Sequence, residues 1–188
     1  MQPKFLFAAA LCLADLAPAQ ALAQAWPDKP IAIIVPFPAG GSTDGVMRFI
    51  APKLAERLGQ PVVVENIGGA GGAIGANRVA HATADGSTLL AGSINDVVLQ
   101  PRINPRLGYG SDSFEPIAMV STSPLLLVAR KDLPQENIDA VVAALKRAPG
   151  SLSFGSPGQG TFQHVVMEDL QRRTQTRMLH VPYRGRRR

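Results

Sequence analysis

The sequence predicts an α/β protein with a mainly parallel sheet, and three observations carry that expectation. After Pro30, short β-branched runs alternate with amphipathic stretches, which is the pattern of βαβ units. Three glycine-rich turns, at 38–44, 67–75 and 155–161, each follow a strand pattern and open a helical one. A hydrophobic share of 46% over 188 residues suits one ordinary domain or two small ones.

Taken in order, strands are expected at Ile31–Val35, Pro61–Glu65, Thr88–Ala91, Ile117–Val120, Leu125–Ala129, Leu152–Gly155 and Met178–Val181. Helices are expected at Thr43–Leu58, Gly72–His81, Glu136–Arg147 and Thr161–Arg172. In the first helix Val46, Ile50, Leu54 and Leu58 recur every four residues and form one apolar face, and Gly59 stops it. Pro52 removes one backbone donor, so it should kink that helix without ending it. Only Ser121–Pro124 separate two apolar runs in "MVSTSPLLLVAR", too few residues for a crossover helix within one parallel sheet. The chain is therefore expected to pass there from a first domain, 26–121, into a second, 122–188.

Residues 1–25 read as a secretory leader: Lys4, the apolar run Phe5–Ala14, and small-residue sites ahead of Trp26. The apolar run is about half of the roughly 20 residues a membrane span needs. The one cysteine, Cys12, lies in this leader, so the chain from Trp26 onward has no thiol, disulfide or cysteine metal site. Four of the charges behind the net +5 are Arg184, Arg186, Arg187 and Arg188; with the leader's Lys4 and Asp15 cancelling, the body carries +1. No basic stripe with interleaved aromatics remains, which argues against nucleic-acid binding.

The first turn, "PAGGSTD", has no lysine or arginine. A helix N-terminus needs none, because its unpaired N–H groups and partial positive charge hold an anion directly. Ser42, Thr43 and Asp44 are also ordinary N-cap residues, so capping and ligand contact both stand as readings. The turn lacks the Lys-Ser/Thr ending of a phosphate loop. The second turn, with Gly69, Gly71 and Gly75, approaches a dinucleotide fingerprint, but its spacing is G-x-G-x-x-x-G and no acidic residue closes the next strand. His164 and Glu168, four apart on one helix face, could serve as metal ligands or an acid/base pair. With no third ligand nearby, an intrahelical partnership is the plainer reading. His81 and His180 stand alone in the sequence, and neither Ser93 nor Ser156 has a Gly-x-Ser-x-Gly setting for a nucleophile.

The segments "WPDKPIAIIVPFPAGGSTD", "LAERLGQPVVVENIGGAGGAIGA", "ADGSTLL", "FEPIAMVSTSPLLLVARKDLP", "GSLSFGSPGQGTFQH" and "HVPYRG", in that order, resemble the extracytoplasmic solute receptors of tripartite tricarboxylate transporters, the Bug receptors. The resemblance covers Trp26 to Gly185. It implies a two-domain, periplasmic-binding-protein-like (Venus flytrap) architecture that closes on a small carboxylate and delivers it to a membrane permease. It further implies a periplasmic, monomeric, non-enzymatic protein without cofactor or metal. On this resemblance Phe37, Gly40, Gly41, Ser42, Thr43 and Asp44 offer amides and hydroxyls to one carboxylate. Ser93 borders the same cleft; Ser156, Gln159, Gly160 and Thr161 face it from the second domain, with Tyr183 and Arg184 beside them.

Two departures stand out. Ile67-Gly68 replaces the family's usual Arg-Pro and Ala73 its common Asn, and the chain stops at Arg186-Arg187-Arg188 where the family continues. The expectation is a truncated or frameshifted copy with an incomplete second domain, exposing sheet edges and apolar helix faces, and hence poorly folded and weak in binding. Two alternatives accompany the receptor reading: an exported dinucleotide-binding oxidoreductase using Gly69, Gly71 and Gly75, and a non-functional remnant.

Overall fold

A computed structural model describes residues 26–183. The expected leader with Cys12 and the terminal arginines, Arg184 included, lie outside the described residues.

The first layer of structure is a three-stranded parallel sheet in the order β2-β1-β3. β1 is Ile31–Val35, β2 is Val62–Asn66 and β3 is Thr88–Leu90. β1 pairs Ile31 with Val62 on one side and Ala32 with Thr88 on the other. A central parallel strand is covered on both faces, which is why "IAIIV" is apolar throughout. Ile31, Ile33, Ile34 and Val35 are all buried, and each such side chain contributes on the order of 2 kcal/mol relative to exposure.

Helix α1, Ser42–Leu58, runs without a break through Pro52. Its Val46, Ile50 and Leu54 pack with Met47 against Ile33 and Val35. It ends where Gly59 takes a left-handed φ of 68° and its amide bonds to the Ala55 carbonyl. α2, Ala73–Ala80, places Ala73 and Ala76 in a second cluster with Tyr109. Ser93 then opens a π-turn, Ile94–Leu99, continued by the short helix α3, Gln100–Ile103. No helix was expected there. Its signal was the Ser-x-x-Asp spacing of a capping box: Ser93 Oγ accepts from the Asn95 amide at 3.2 Å, and Asp96 reaches back to the Ser93 amide at 3.1 Å.

The expected strands Ile117–Val120 and Leu125–Ala129 do not form. A strand needs a neighbour to take its N–H and C=O groups, and among the described residues none pairs with this stretch. It has no regular secondary structure and is exposed, with Met119 at 82% and Val128 at 81%. Beyond it α4, Ile138–Arg147, starts two residues later than expected because Asn137 accepts the Ala140 amide at 2.9 Å and serves as the N-cap. A second parallel sheet then pairs β4, Ser153–Ser156, with β5, Leu179–Pro182, across α5, Phe162–Thr174. β1 has the expected bounds, and the remaining expected strands and helices are present with ends shifted by no more than two residues. Among the described residues, no helix is long and apolar enough to cross a membrane.

Candidate functional site

The first turn leaves β1 through Pro36 and Phe37 and enters α1 at Ser42. Gly40 takes a φ of 82°, a backbone state that favours glycine. The residue before the helix is Gly41, which has no side chain with which to cap it. Ser42 and Thr43 lie inside the first turn of α1 and do not cap it either. Ser42 is exposed and Thr43 half-buried. The leading amides of a 17-residue helix are thus left without a side-chain cap, at the end of a central strand where an acceptor can approach.

Asp44 behaves differently from its neighbours. It is buried, and its carboxylate accepts from the Gly40 amide at 2.8 Å, Arg48 Nε at 3.0 Å and Asn66 Nδ2 at 2.9 Å. The Arg48 hydrogen bond and then the Gly40 amide hold its pKa down at about 2. Asn66, at the end of β2, also donates to the Phe37 carbonyl at 3.2 Å. The side chains of Asp44 and Asn66 therefore fix the path of the turn from its inner side.

The second glycine turn is packed from above. A Cβ on Gly71 would strike the Gln100 amide, one on Gly72 would stand 2.8 Å from Asp96 Cβ, and one on Gly75 would stand 2.7 Å from the Ile67 carbonyl. These glycines admit the close approach of Gln100, Asp96 and the Ile67 carbonyl of this same chain. A cavity of about 270 Å³ lies alongside, lined by Ala70, Ala73, Ile74, Asn77, Arg106 and Leu107. It contains none of the expected ligand residues.

Ser93 is the N-cap of the π-turn. Its hydroxyl donates to Asp96 Oδ1 at 2.5 Å, and Asp96 is fully buried, so that burial pushes its carboxyl pKa up against those hydrogen bonds. Tyr109 donates to the Asp96 carbonyl at 2.8 Å; burial and then the Asp96 charge push the phenol up to about 12.

The third turn leads from β4 into α5. Thr161, the N-cap by backbone geometry, is buried and has turned its hydroxyl back to donate to the Gly158 carbonyl at 2.7 Å. It does not cap α5. The Phe162 amide donates instead to Asn95 Oδ1 at 2.6 Å, and Gln100 Nε2 donates to the Gly160 carbonyl at 3.3 Å. These two contacts join the Ser93–Gln100 segment to the third turn. Ser156 is buried beneath it, Gln159 is exposed on it, and Tyr183, largely exposed, lies over Gly155 with its amide bonded to the Ser156 carbonyl at 2.8 Å.

His180 does not stand alone. Its ring stacks on His164 with centroids 4.0 Å apart and on Phe154 at 4.8 Å. Its Nε2 lies 2.7 Å from Ser156 Oγ. His164 Nε2 is 3.5 Å from Glu168, the intrahelical partner the spacing suggested. Sequence reasoning missed Asn66, Asn95, Gln100 and His180. The Asp44–Arg48 pair was signalled by its i,i+4 spacing, whereas Asn95 and Phe162 are 67 residues apart and nothing local announces their contact.

Residues 46–188 match the tripartite tricarboxylate transporter family receptor. Protein BugT of Bordetella pertussis is 39% identical over 165 residues, covering 87% of this chain and 51% of that protein. Among solved structures, MatC (Rpa3494) from Rhodopseudomonas palustris with bound malate superposes with a TM-score of 0.76 at 34% identity, over 85% of this chain and 55% of that one. R. palustris Rpa4515 with adipate gives a TM-score of 0.68 at 28% identity, over 85% and 54%. The chain thus spans about half the length of the relatives it matches. With the family match extending over residues 46–188, the chain belongs to the tripartite tricarboxylate transporter receptor family.

Proposed function

We propose that the protein acts as a periplasmic solute-binding receptor that captures a small carboxylate and passes it to the permease subunits of a tripartite tricarboxylate transporter. The observation that carries this reading is the state of the α1 N-terminus. It follows a buried parallel strand, has glycine where a capping side chain would stand, and carries Asp44 folded inward, away from its leading amides. Such an end offers backbone donors and a favourable dipole to a carboxylate without a lysine or arginine. Capture by amides also spares the receptor a buried ion pair, which would be costly to separate on release.

In this reading Phe37 and Gly40–Thr43 form one side of the ligand site and Asp44 holds that side in shape. Ser93 borders it, and Ser156, Gln159, Gly160, Thr161 and Tyr183 contribute from the unit beginning near residue 122. Malate and adipate, the ligands held by the two structural neighbours, define the class to try first. The test is calorimetric titration of the 188-residue chain with malate, adipate and citrate, with NAD as the control. Saturable heat with at least one of the acids and none with NAD is expected. Heat from NAD, with none from any acid, overturns the proposal.

A further inference from the structure

Phe154, His180 and His164 form one stack, with interplanar angles of 21° and 17° between successive rings. His164 lies in the first turn of α5, and its Nδ1 accepts the Gly160 amide at 3.1 Å. An imidazole nitrogen that accepts carries no proton, so neutral His164 holds its proton on Nε2, toward Glu168 at 3.5 Å. Ser156 donates its hydroxyl to the Gly158 carbonyl at 3.1 Å, so it accepts from His180 Nε2–H at 2.7 Å and from the Gly158 amide at 3.2 Å. The two histidines therefore grip the Gly158–Thr161 turn from below, one through Gly160 and one through Ser156.

Protonation affects the two grips differently. His180 already donates through Nε2 and keeps its bond to Ser156. His164 would present a second N–H, at Nδ1, directly to the Gly160 N–H, and that bond cannot survive. A charged ring would also stand 4.0 Å from its neighbour. Among the described residues, the carboxylate facing the pair is Glu168 on α5. β4 contributes the uncharged Phe154 and Ser156, and the side chains that reach this turn from the π-turn and α3, Asn95 and Gln100, are uncharged as well.

We propose that His164 is a positioning residue of the ligand turn, and that the His164–His180 pair couples carboxylate capture to the uptake of one proton. With His164 neutral, the Gly160 amide is spent on Nδ1. With His164 protonated, that amide is released beside a positive ring, and an incoming carboxylate stabilises the released state. The inference rests on the receptor reading above for the identity of the anion.

The test has two arms, both on the full chain. In the first, ¹⁵N–¹H NMR follows the Gly160 amide and the His164 ring without ligand from about pH 5 to about pH 8, the range in which histidine changes charge. The two signals are expected to move with one midpoint, and in His164→Asn, which keeps an acceptor near Nδ1 but cannot titrate, the Gly160 amide is expected to stay still. A Gly160 amide that ignores the His164 titration overturns the inference. In the second arm, malate is titrated in two buffers of different ionisation enthalpy. Uptake of about one proton is expected in the parent chain, with affinity rising up to about tenfold per unit fall in pH, and no uptake in His164→Asn. Malate binding without proton uptake overturns the coupling and leaves the receptor reading intact. A Gly160 amide that titrates with His164 while neither malate nor adipate binds at any pH overturns the receptor reading, and the coupling with it.

Discussion

Asn95 accepts the Phe162 amide through its side-chain oxygen at 2.6 Å, so the first turn of α5 is capped by a residue 67 positions away. The helix's own N-cap, Thr161, has committed its hydroxyl to the Gly158 carbonyl. Asn95 is therefore both a cap and a tie between the segment after β3 and the turn after β4.

Asn95→Ala removes that cap. Loss of an N-cap acceptor costs about 1 kcal/mol, and the cost should appear as a lower denaturant midpoint. Asn95→Asp retains the acceptor and adds a negative charge at the helix start, so stability should hold while malate affinity falls. Equal stability of the parent and Asn95→Ala chains would show that the contact is idle.

Asp44 supplies a pH signature. Its carboxyl is held at about 2 against an ordinary value of 3.8, through Arg48 first and the Gly40 amide second. A depressed carboxyl contributes stability that is complete above the ordinary value and is lost as pH falls through the folded-state value. Unfolding midpoints measured against pH should therefore drop between about pH 4 and about pH 2, and Asp44→Asn should flatten that part of the curve. The same variant leaves Arg48 and Asn66 short of an acceptor, at a cost of about 1–3 kcal/mol at neutral pH.

Gly75 tests packing in isolation. Its backbone is not in a left-handed state, but a Cβ would stand 2.7 Å from the Ile67 carbonyl and 3.0 Å from Pro36 Cα, both backbone atoms that cannot swing aside. Gly75→Ala is expected to destabilise by about 1–3 kcal/mol, whereas Gly45→Ala, where nothing lies within 4 Å, should be nearly neutral or better. Similar midpoints for the two variants would contradict the close approach of α2 to Pro36.

The run from Ile117 to Val128 exposes Met119, Leu126 and Val128 outside any regular element. Contiguous exposed apolar surface of this kind promotes association. Met119→Glu with Leu126→Lys should leave the thermal midpoint of the chain unchanged, since neither side chain is packed, while lowering the fraction of higher species in sedimentation velocity. A fall in the midpoint would mean that these side chains are packed after all.

How much was legible from the sequence depends on how far apart the interacting residues lie. β1 was legible because five consecutive apolar residues, four of them β-branched, suit a strand covered on both faces. α1 was legible because Val46, Ile50 and Leu54 repeat at the helical period, and Gly59 supplies the left-handed stop at its end. Those are local properties of neighbouring residues, and the sequence by itself determined them, together with the order of β and α elements and the run of motifs that carries the family resemblance. The π-turn after Ser93 and the inward fold of Asp44 were only half visible, since each depends on a short-range pair and on the burial that makes the pair persist.

The remainder was decided by tertiary structure. The runs at 117–120 and 125–129 have every local mark of strands and form none, because backbone pairing requires a partner edge that no single segment contains. The cap from Asn95 to Phe162, the seat of Gln100 over Gly71, and the stack of His164 on His180 each join residues of different elements that meet only when those elements pack together. A hydrogen bond or a stacked ring acts over a few ångströms, and only the folded chain brings such distant positions within that range.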